Sequence, residues 1–313
     1  MTERGRRACV VGGAFCAFVL AGAPAMAALP GQTIDVPFDA QRVTQHAEEA
    51  HILRLFLPVP LPVPPEAQPA PASAEAPLPL VVFLHGVNTT HQPFRFAGHG
   101  GEPDVRSLVA RLVADGTTPR FVLAAPSTVV FSDFPASLWP AFDLDRVFET
   151  AARTLRGRVT LDPDRVIVVG HSGAGCNARG GVFAAAADTT LALRGVMLVD
   201  TCLDLPQIPL LLDLPPTVDV VVTYQTRAWP RPFEEHARLF LEPRRSRLRS
   251  DPRGKDTLAI EEARTPPGRH VHNAMVEEAL RAYLPRLLRP RLAVLARRLD
   301  LPELRNFSTN VQS

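Results

Sequence analysis

From Leu80 to Glu262 the chain alternates short apolar runs with segments of helical spacing. The runs are Leu80–Leu84, Phe121–Ala125, Val166–Val169, Val196–Val199, Val218–Tyr224 and Leu258–Glu262. Val105–Ala114, Leu144–Leu155, Gly175–Ala187 and Phe233–Leu241 read as the intervening helices. A run that is apolar at every position, rather than at every second one, is a strand covered on both faces. Strands joined through helices run parallel, because a parallel pair needs a long crossover. The pattern predicts one α/β domain, with a mostly parallel central sheet and helices on both faces. A closing amphipathic helix over Val276–Leu288 aligns Val276, Leu280, Tyr283, Leu284 and Leu287 on one face.

Upstream, Thr33–Phe38 and His51–Leu57 read as two early strands, a hairpin or an antiparallel edge. Between Pro58 and Pro79 there are nine prolines. Proline lacks the backbone donor that helices and central strands require, so this stretch is predicted to be an extended surface loop. The expected division is a signal peptide at 1–27, the α/β domain at 28–300 with its proline-rich loop at 58–79, and a polar tail at 301–313.

The signal peptide is read from Arg4, Arg6 and Arg7, then an apolar run from Ala8 to Ala23, then Ala25-Met26-Ala27. This is the charged, apolar and small-residue order of a secretory leader, and the run is short for a bilayer span. Its removal predicts a periplasmic or secreted chain with no stable membrane span. It takes three arginines and one glutamate from totals of 34 basic and 32 acidic residues, which leaves the charges equal. A neutral chain lacks the basic face of a nucleic-acid binder. No His-x-x-Glu-His and no Cys/His cluster at ligand spacing occurs, so no metal is expected. Neither a phosphate-cradling glycine loop nor a dinucleotide fingerprint is present, so no cofactor is expected.

In a parallel α/β sheet, ligands bind beyond the carboxyl ends of the strands. Those ends carry His85-Gly86, Pro126-Ser127, Gly170-His171-Ser172-Gly173-Ala174-Gly175 and Asp200. A serine between small residues, after a β-branched run and before a helix, is the context of a nucleophile elbow, whose sharp turn admits only small neighbours. Here Gly170 and Ala174 flank Ser172 at two residues' distance, and Ala174 stands where the motif usually has glycine.

With LVVFLHG at 80–86, VIVVGHSGAG at 166–175, a later acid after a strand and a late histidine before a terminal helix, the chain resembles the α/β-hydrolase superfamily. Its closest flavour is that of secreted bacterial esterase and lipase-like serine hydrolases. The resemblance implies Ser172 as nucleophile, with a histidine base and an orienting carboxylate. His272 is the expected base and His270 the alternative. Asp200 is the expected acid, with Asp204 and Glu234 as alternatives. The more usual position for the acid, the loop Gln225–Phe233, contains none. The resemblance also implies an oxyanion site built from the backbone N–H groups of Val87 and Gly173. His171 and His85 read as packing residues.

The implied function is cleavage of a small-molecule or lipid carboxylic ester through an acyl-enzyme. Two alternatives stand beside it: a cell-envelope amidase, peptidase or acyltransferase with the same triad, and a hydrolase-fold binding protein without catalysis. Phe94, Phe96, Phe131, Phe134, Trp139 and Leu210–Leu212 lie in loops at the strand ends and are candidates for an apolar substrate pocket, or for ordinary packing. Cys176 and Cys202 remain after leader removal, an even pair in an oxidising compartment. If Ser172 and Asp200 share one triad, their segments meet, and a Cys176–Cys202 disulfide is expected there. Nothing in the sequence bears on oligomeric state.

Overall fold

The computed structural model describes residues 29–38, 52–59, 76–88, 92–98, 103–127, 138–140, 142–201, 207–225, 242, 258–262 and 271–289. The expected leader, most of the proline-rich loop, the expected helix Phe233–Leu241 and the polar tail lie outside the described residues.

The strands are β1 (Gly31–Pro37), β2 (Ile52–Pro58), β3 (Leu78–Leu84), β4 (Val122–Ser127), β5 (Leu161–His171), β6 (Leu193–Val199), β7 (Asp219–Tyr224) and β8 (Leu258–Glu262). The helices are α1 (Val105–Ala114), α2 (Leu144–Thr154), α3 (Gly181–Ala187), α4 (Ile208–Leu212) and α5 (Val271–Leu288). The eight strands form one sheet in the order β1-β2-β4-β3-β5-β6-β7-β8. β2 pairs antiparallel with both β1 and β4, and every pairing from β4 to β8 is parallel.

Strict alternation along the parallel strands explains why the runs are apolar throughout. Leu80, Val82, Leu84, Val166, Val168, Val196, Leu198, Val220 and Val222 face one core, with Val147 and Ala151 of α2, Val182 and Phe183 of α3 and Leu211 of α4. Val81, Phe83, Ile167, Val169, Met197, Val199 and Val221 face the other, with Leu108 and Val109 of α1 and Val276, Leu280 and Leu284 of α5. Each such fully buried aliphatic side chain contributes about 1.5–3 kcal/mol relative to exposure. The starts of α1 and α2 are marked by aspartates. Asp104 accepts from the Arg106 N–H before α1, and Asp143 accepts from the Arg146 N–H before α2.

Three expected boundaries move. Pro79 lies inside β3, a strand paired on both sides, where a proline was not expected. The register with β5 breaks between Leu78 and Leu80, and pairing with β4 begins only at Leu80. Pro79 therefore occupies a bulge at the strand's start, where no ladder donor is required of it. The expected helix Gly175–Ala187 is two pieces, a 3₁₀ turn at Ser172–Gly175 and α3 from Gly181. The break is held by another segment, because the Gly181 N–H donates to the Trp139 carbonyl at 2.8 Å and Asn177 Nδ2 donates to the Leu138 carbonyl at 3.0 Å. Cys176 accordingly ends the 3₁₀ turn instead of opening a long helix. Finally, α5 begins at Val271 rather than Val276, which places His272 on its first turn.

Candidate active site

Strand register brings the chemistry-bearing residues to one end of the sheet. Leu84 of β3 lies opposite Gly170 of β5, His171 opposite Val199 of β6, and Val199 opposite Thr223 of β7. The next residues along each chain, His85 to Val87, Ser172, Asp200 and Gln225, therefore emerge side by side at the carboxyl edge.

Ser172 has φ 53° and Asp200 φ 47°, both in the left-handed region. For residues other than glycine this costs on the order of 1–3 kcal/mol, and it is retained where the surrounding structure holds it. The strand after Ser172 cannot simply continue, so its side chain turns out over the sheet edge. Gly86 permits that turn. A Cβ at Gly86 would lie 2.5 Å from the Ser172 Cβ and 2.9 Å from its Oγ. Ala174, the departure from the usual glycine, is fully buried, and its methyl is accommodated against Gly170.

Asp200 is fully buried, and His272 Nδ1 is 2.5 Å from its Oδ2. A carboxylate can only accept, so Nδ1 carries the proton, and in the neutral ring Nε2 keeps its lone pair. The His272 side chain remains about one-third exposed, at 32%. Gln225 adds two donors to the same carboxylate: its backbone N–H to Oδ1 at 3.2 Å and its Nε2 to Oδ2 at 2.6 Å. The Asp200 N–H in turn donates to the Thr223 carbonyl at 2.7 Å.

His171 is more than a packing residue. Its ring lies 4.5 Å from that of His272, centroid to centroid, and its Nε2 donates to the His272 carbonyl at 3.1 Å. The opposite nitrogen, Nδ1, is buried and has no hydrogen-bond partner among the described residues. Burial first, and then the neighbouring His272 ring, hold its pKa well below the usual histidine value. It is therefore a neutral support for the His272 imidazole.

His85 is also neutral. Burial lowers its pKa to about 4, against the Gly86 hydrogen bond, which acts to raise it. Its Nδ1 donates to the Gly86 carbonyl at 2.7 Å. That carbonyl belongs to the same peptide unit as the Val87 N–H. In a trans peptide the two point in opposite directions, so His85 fixes the direction of the Val87 donor. Trp139 Nε1 donates to the His85 carbonyl at 2.9 Å, and Arg95 donates to the Val87 carbonyl. Val87 N lies 3.3 Å from where a Cβ on Gly173 would stand, so the backbone at Val87 and Gly173 is close together.

Sheet order, crossover pattern and the serine turn after β5 decide the architecture. The chain has the α/β-hydrolase fold. No family model matches it, and no curated protein matches it. Among solved structures it is similar to a ferulic acid esterase (13% identity, 83% of this chain and 98% of that one, TM-score 0.49). It is similar also to a feruloyl esterase module from Clostridium thermocellum (10% identity, 82% and 88%, TM-score 0.49) and to Thermogutta terrifontis esterase 2 (17% identity, 84% and 98%, TM-score 0.43).

Of the expected site residues, the hydrolase fold brings Asp200 and His272 into contact and sets Ser172, Val87 and Gly173 at the same sheet edge. His270, Asp204, Glu234 and Cys202 lie outside the described residues. Cys176 is buried, with its Sγ 3.4 Å from the Ser172 carbonyl oxygen. Four described members of the set offered for an apolar pocket or for packing are engaged in the packing of the fold. Phe96 is fully buried against Phe83 and His171, and Trp139 is buried against His85 and Phe142. Leu210 and Leu211 line a cavity of about 580 Å³ with Leu193 and Val218, at the amino ends of β6 and β7, the opposite edge from Ser172. Sequence reasoning missed Gln225 and the contact of His171 with His272. Gln225 is the first residue after β7, the same strand-end position that singled out Asp200 after β6. Among the described residues no cluster could hold a metal ion, and no helix is long and apolar enough to cross a membrane.

Proposed function

We propose that this chain is an exported serine hydrolase that cleaves carboxylic esters through Ser172, His272 and Asp200. The observation that carries the reading is the buried Asp200 carboxylate hydrogen-bonded to His272 Nδ1, one strand away from a serine in a left-handed turn. Asp200 holds the imidazole so that Nε2 is the basic nitrogen. Ser172 Oγ attacks the ester carbonyl carbon while Nε2 takes its proton. The negative oxygen of the tetrahedral intermediate is met by the backbone N–H groups of Val87 and Gly173. Collapse breaks the bond to the alcohol oxygen, which leaves with the proton held by His272. Water then attacks the acyl-enzyme, His272 takes its proton, and the acid is released with Ser172 restored. Two supports fit this chemistry: neutral His85 aiming the Val87 donor, and neutral His171 carrying the base. Export through residues 1–27 and a bridge from Cys176 to Cys202 complete the proposal.

The test is labelling of the mature chain with a fluorophosphonate, followed by turnover on aryl esters of increasing acyl length. Wild type should label and turn over. Ser172→Ala should do neither, with turnover down on the order of 10⁴-fold or more. His270→Ala and Glu234→Gln should retain turnover. Absence of labelling in the wild type would favour the binding-protein alternative, and labelling with amide but no ester turnover would favour the amidase.

A further inference from the structure

Among the described residues the Asp200 carboxylate receives three N–H donors, and two come from a single residue that takes no part in the steps above. Gln225 spans both oxygens, its backbone N–H on Oδ1 and its amide Nε2 on Oδ2. Oδ2 is also the oxygen that meets His272 Nδ1. Gln225 is buried, so its amide has no freedom to exchange this partner for water. The two strand ends are tied reciprocally, because the Asp200 N–H returns to the Thr223 carbonyl of β7. Asp200 itself sits in a left-handed backbone conformation, from which its carboxylate could adopt more than one rotamer. Donors at fixed positions on both oxygens of a buried carboxylate stabilise its charge and select one rotamer.

We propose that Gln225 is the positioning residue of this site: its amide, delivered from the end of β7, holds Oδ2 of Asp200 in line with His272 Nδ1. This rests on the hydrolase reading and assigns that site a fourth member. Gln225 would touch neither substrate nor the reacting atoms, so it acts only through Asp200.

That restriction makes the inference testable with a mutant cycle on the mature full chain. Gln225→Met keeps the length and apolar volume of the side chain and removes the donor, while the backbone N–H to Oδ1 remains. It should lower kcat on a short-chain aryl ester about tenfold or more and leave KM within about twofold, since the loss falls on the transition state and not on substrate binding. In an Asp200→Asn background the same change should cost less than about twofold, because the group it acts through is already gone. Full kcat in Gln225→Met would overturn the proposal, as would a loss that repeats undiminished in the Asp200→Asn background. A second readout does not depend on turnover: the far-downfield proton resonance of the His272 Nδ1–H held by Asp200. Gln225→Met should shift or broaden it, and an unchanged resonance would overturn the proposal. If wild type shows this resonance but neither labels nor hydrolyses esters, the hydrolase reading fails, and the resonance alone decides the role of Gln225.

Discussion

At the scale of single residues, the imidazoles of His85 and His171 connect structure to pH. Both are buried and both are held neutral, with His85 lowered to about 4 and His171 also far down. The unfolded chain takes up these protons near pH 6.5, while the folded chain resists until much lower pH. Their contribution to stability is therefore fully present above about 6.5 and is lost as pH falls toward the folded values. For His85 the loss by pH 4 is on the order of 3 kcal/mol. The charges facing His171, from His272, Arg95 and His85, act in the same direction as burial, while its hydrogen bond to the His272 carbonyl opposes them. The melting temperature of the mature chain should fall steadily between pH 6.5 and pH 4.5. His85→Asn should flatten that fall. A melting temperature independent of pH over this range would contradict the assignment of both rings as buried and neutral.

At the scale of elements, the segment after Ser172 shows how local signals lose to tertiary ones. Small, apolar residues from Gly175 to Ala187 read as one helix, yet the chain breaks at Asn177–Gly181 to pair with residues 138–140, through an antiparallel bridge between Pro140 and Gly180. Gly181 makes the break possible. Its φ is +50°, and a Cβ there would lie 2.1 Å from the Ala174 carbonyl oxygen, a backbone atom that cannot swing away. Gly181→Ala should destabilise the chain by at least about 2 kcal/mol, combining left-handed strain with displacement of the turn. At this size that lowers the melting temperature by roughly 4 °C or more. Because the displaced turn carries Ser172, turnover should fall as well. By contrast, α1 and β8 match their sequence readings residue for residue.

At the scale of the whole molecule, the closing of the active edge depends on joining segments far apart in sequence. Cys176 sits four residues after Ser172, and Cys202 follows Asp200 by two. A bridge between them would tie the nucleophile turn of β5 to the acid end of β6 and close a loop of roughly 25 residues, contributing about 2–4 kcal/mol. Thiol titration of the denatured, unreduced mature chain should find no free thiol, and reductant should lower the melting temperature. Two free thiols would remove the bridge from the proposal.

The sequence by itself determined which segments are strands, that they are covered on both faces, and which residue types stand at their carboxyl ends. Those properties follow from hydrophobic periodicity and turn chemistry, which act over a few neighbouring residues. On that basis Ser172 and Asp200 stand out at strand ends, while their catalytic roles and the choice of His272 as base are what the resemblance to the α/β-hydrolase superfamily implies. Which candidates meet was decided by the tertiary structure, through the register of β5, β6 and β7, which aligns His171 with Val199 and Val199 with Thr223. The same register turned Gln225 from the start of an acid-free loop into a partner of Asp200, and His171 from packing into a support for His272. It also carried Leu210 and Leu211 to the far edge of the sheet, away from Ser172. Hydrogen bonds between residues 25 to 101 positions apart leave no local periodicity behind, because the energy that selects them exists only after the sheet has formed.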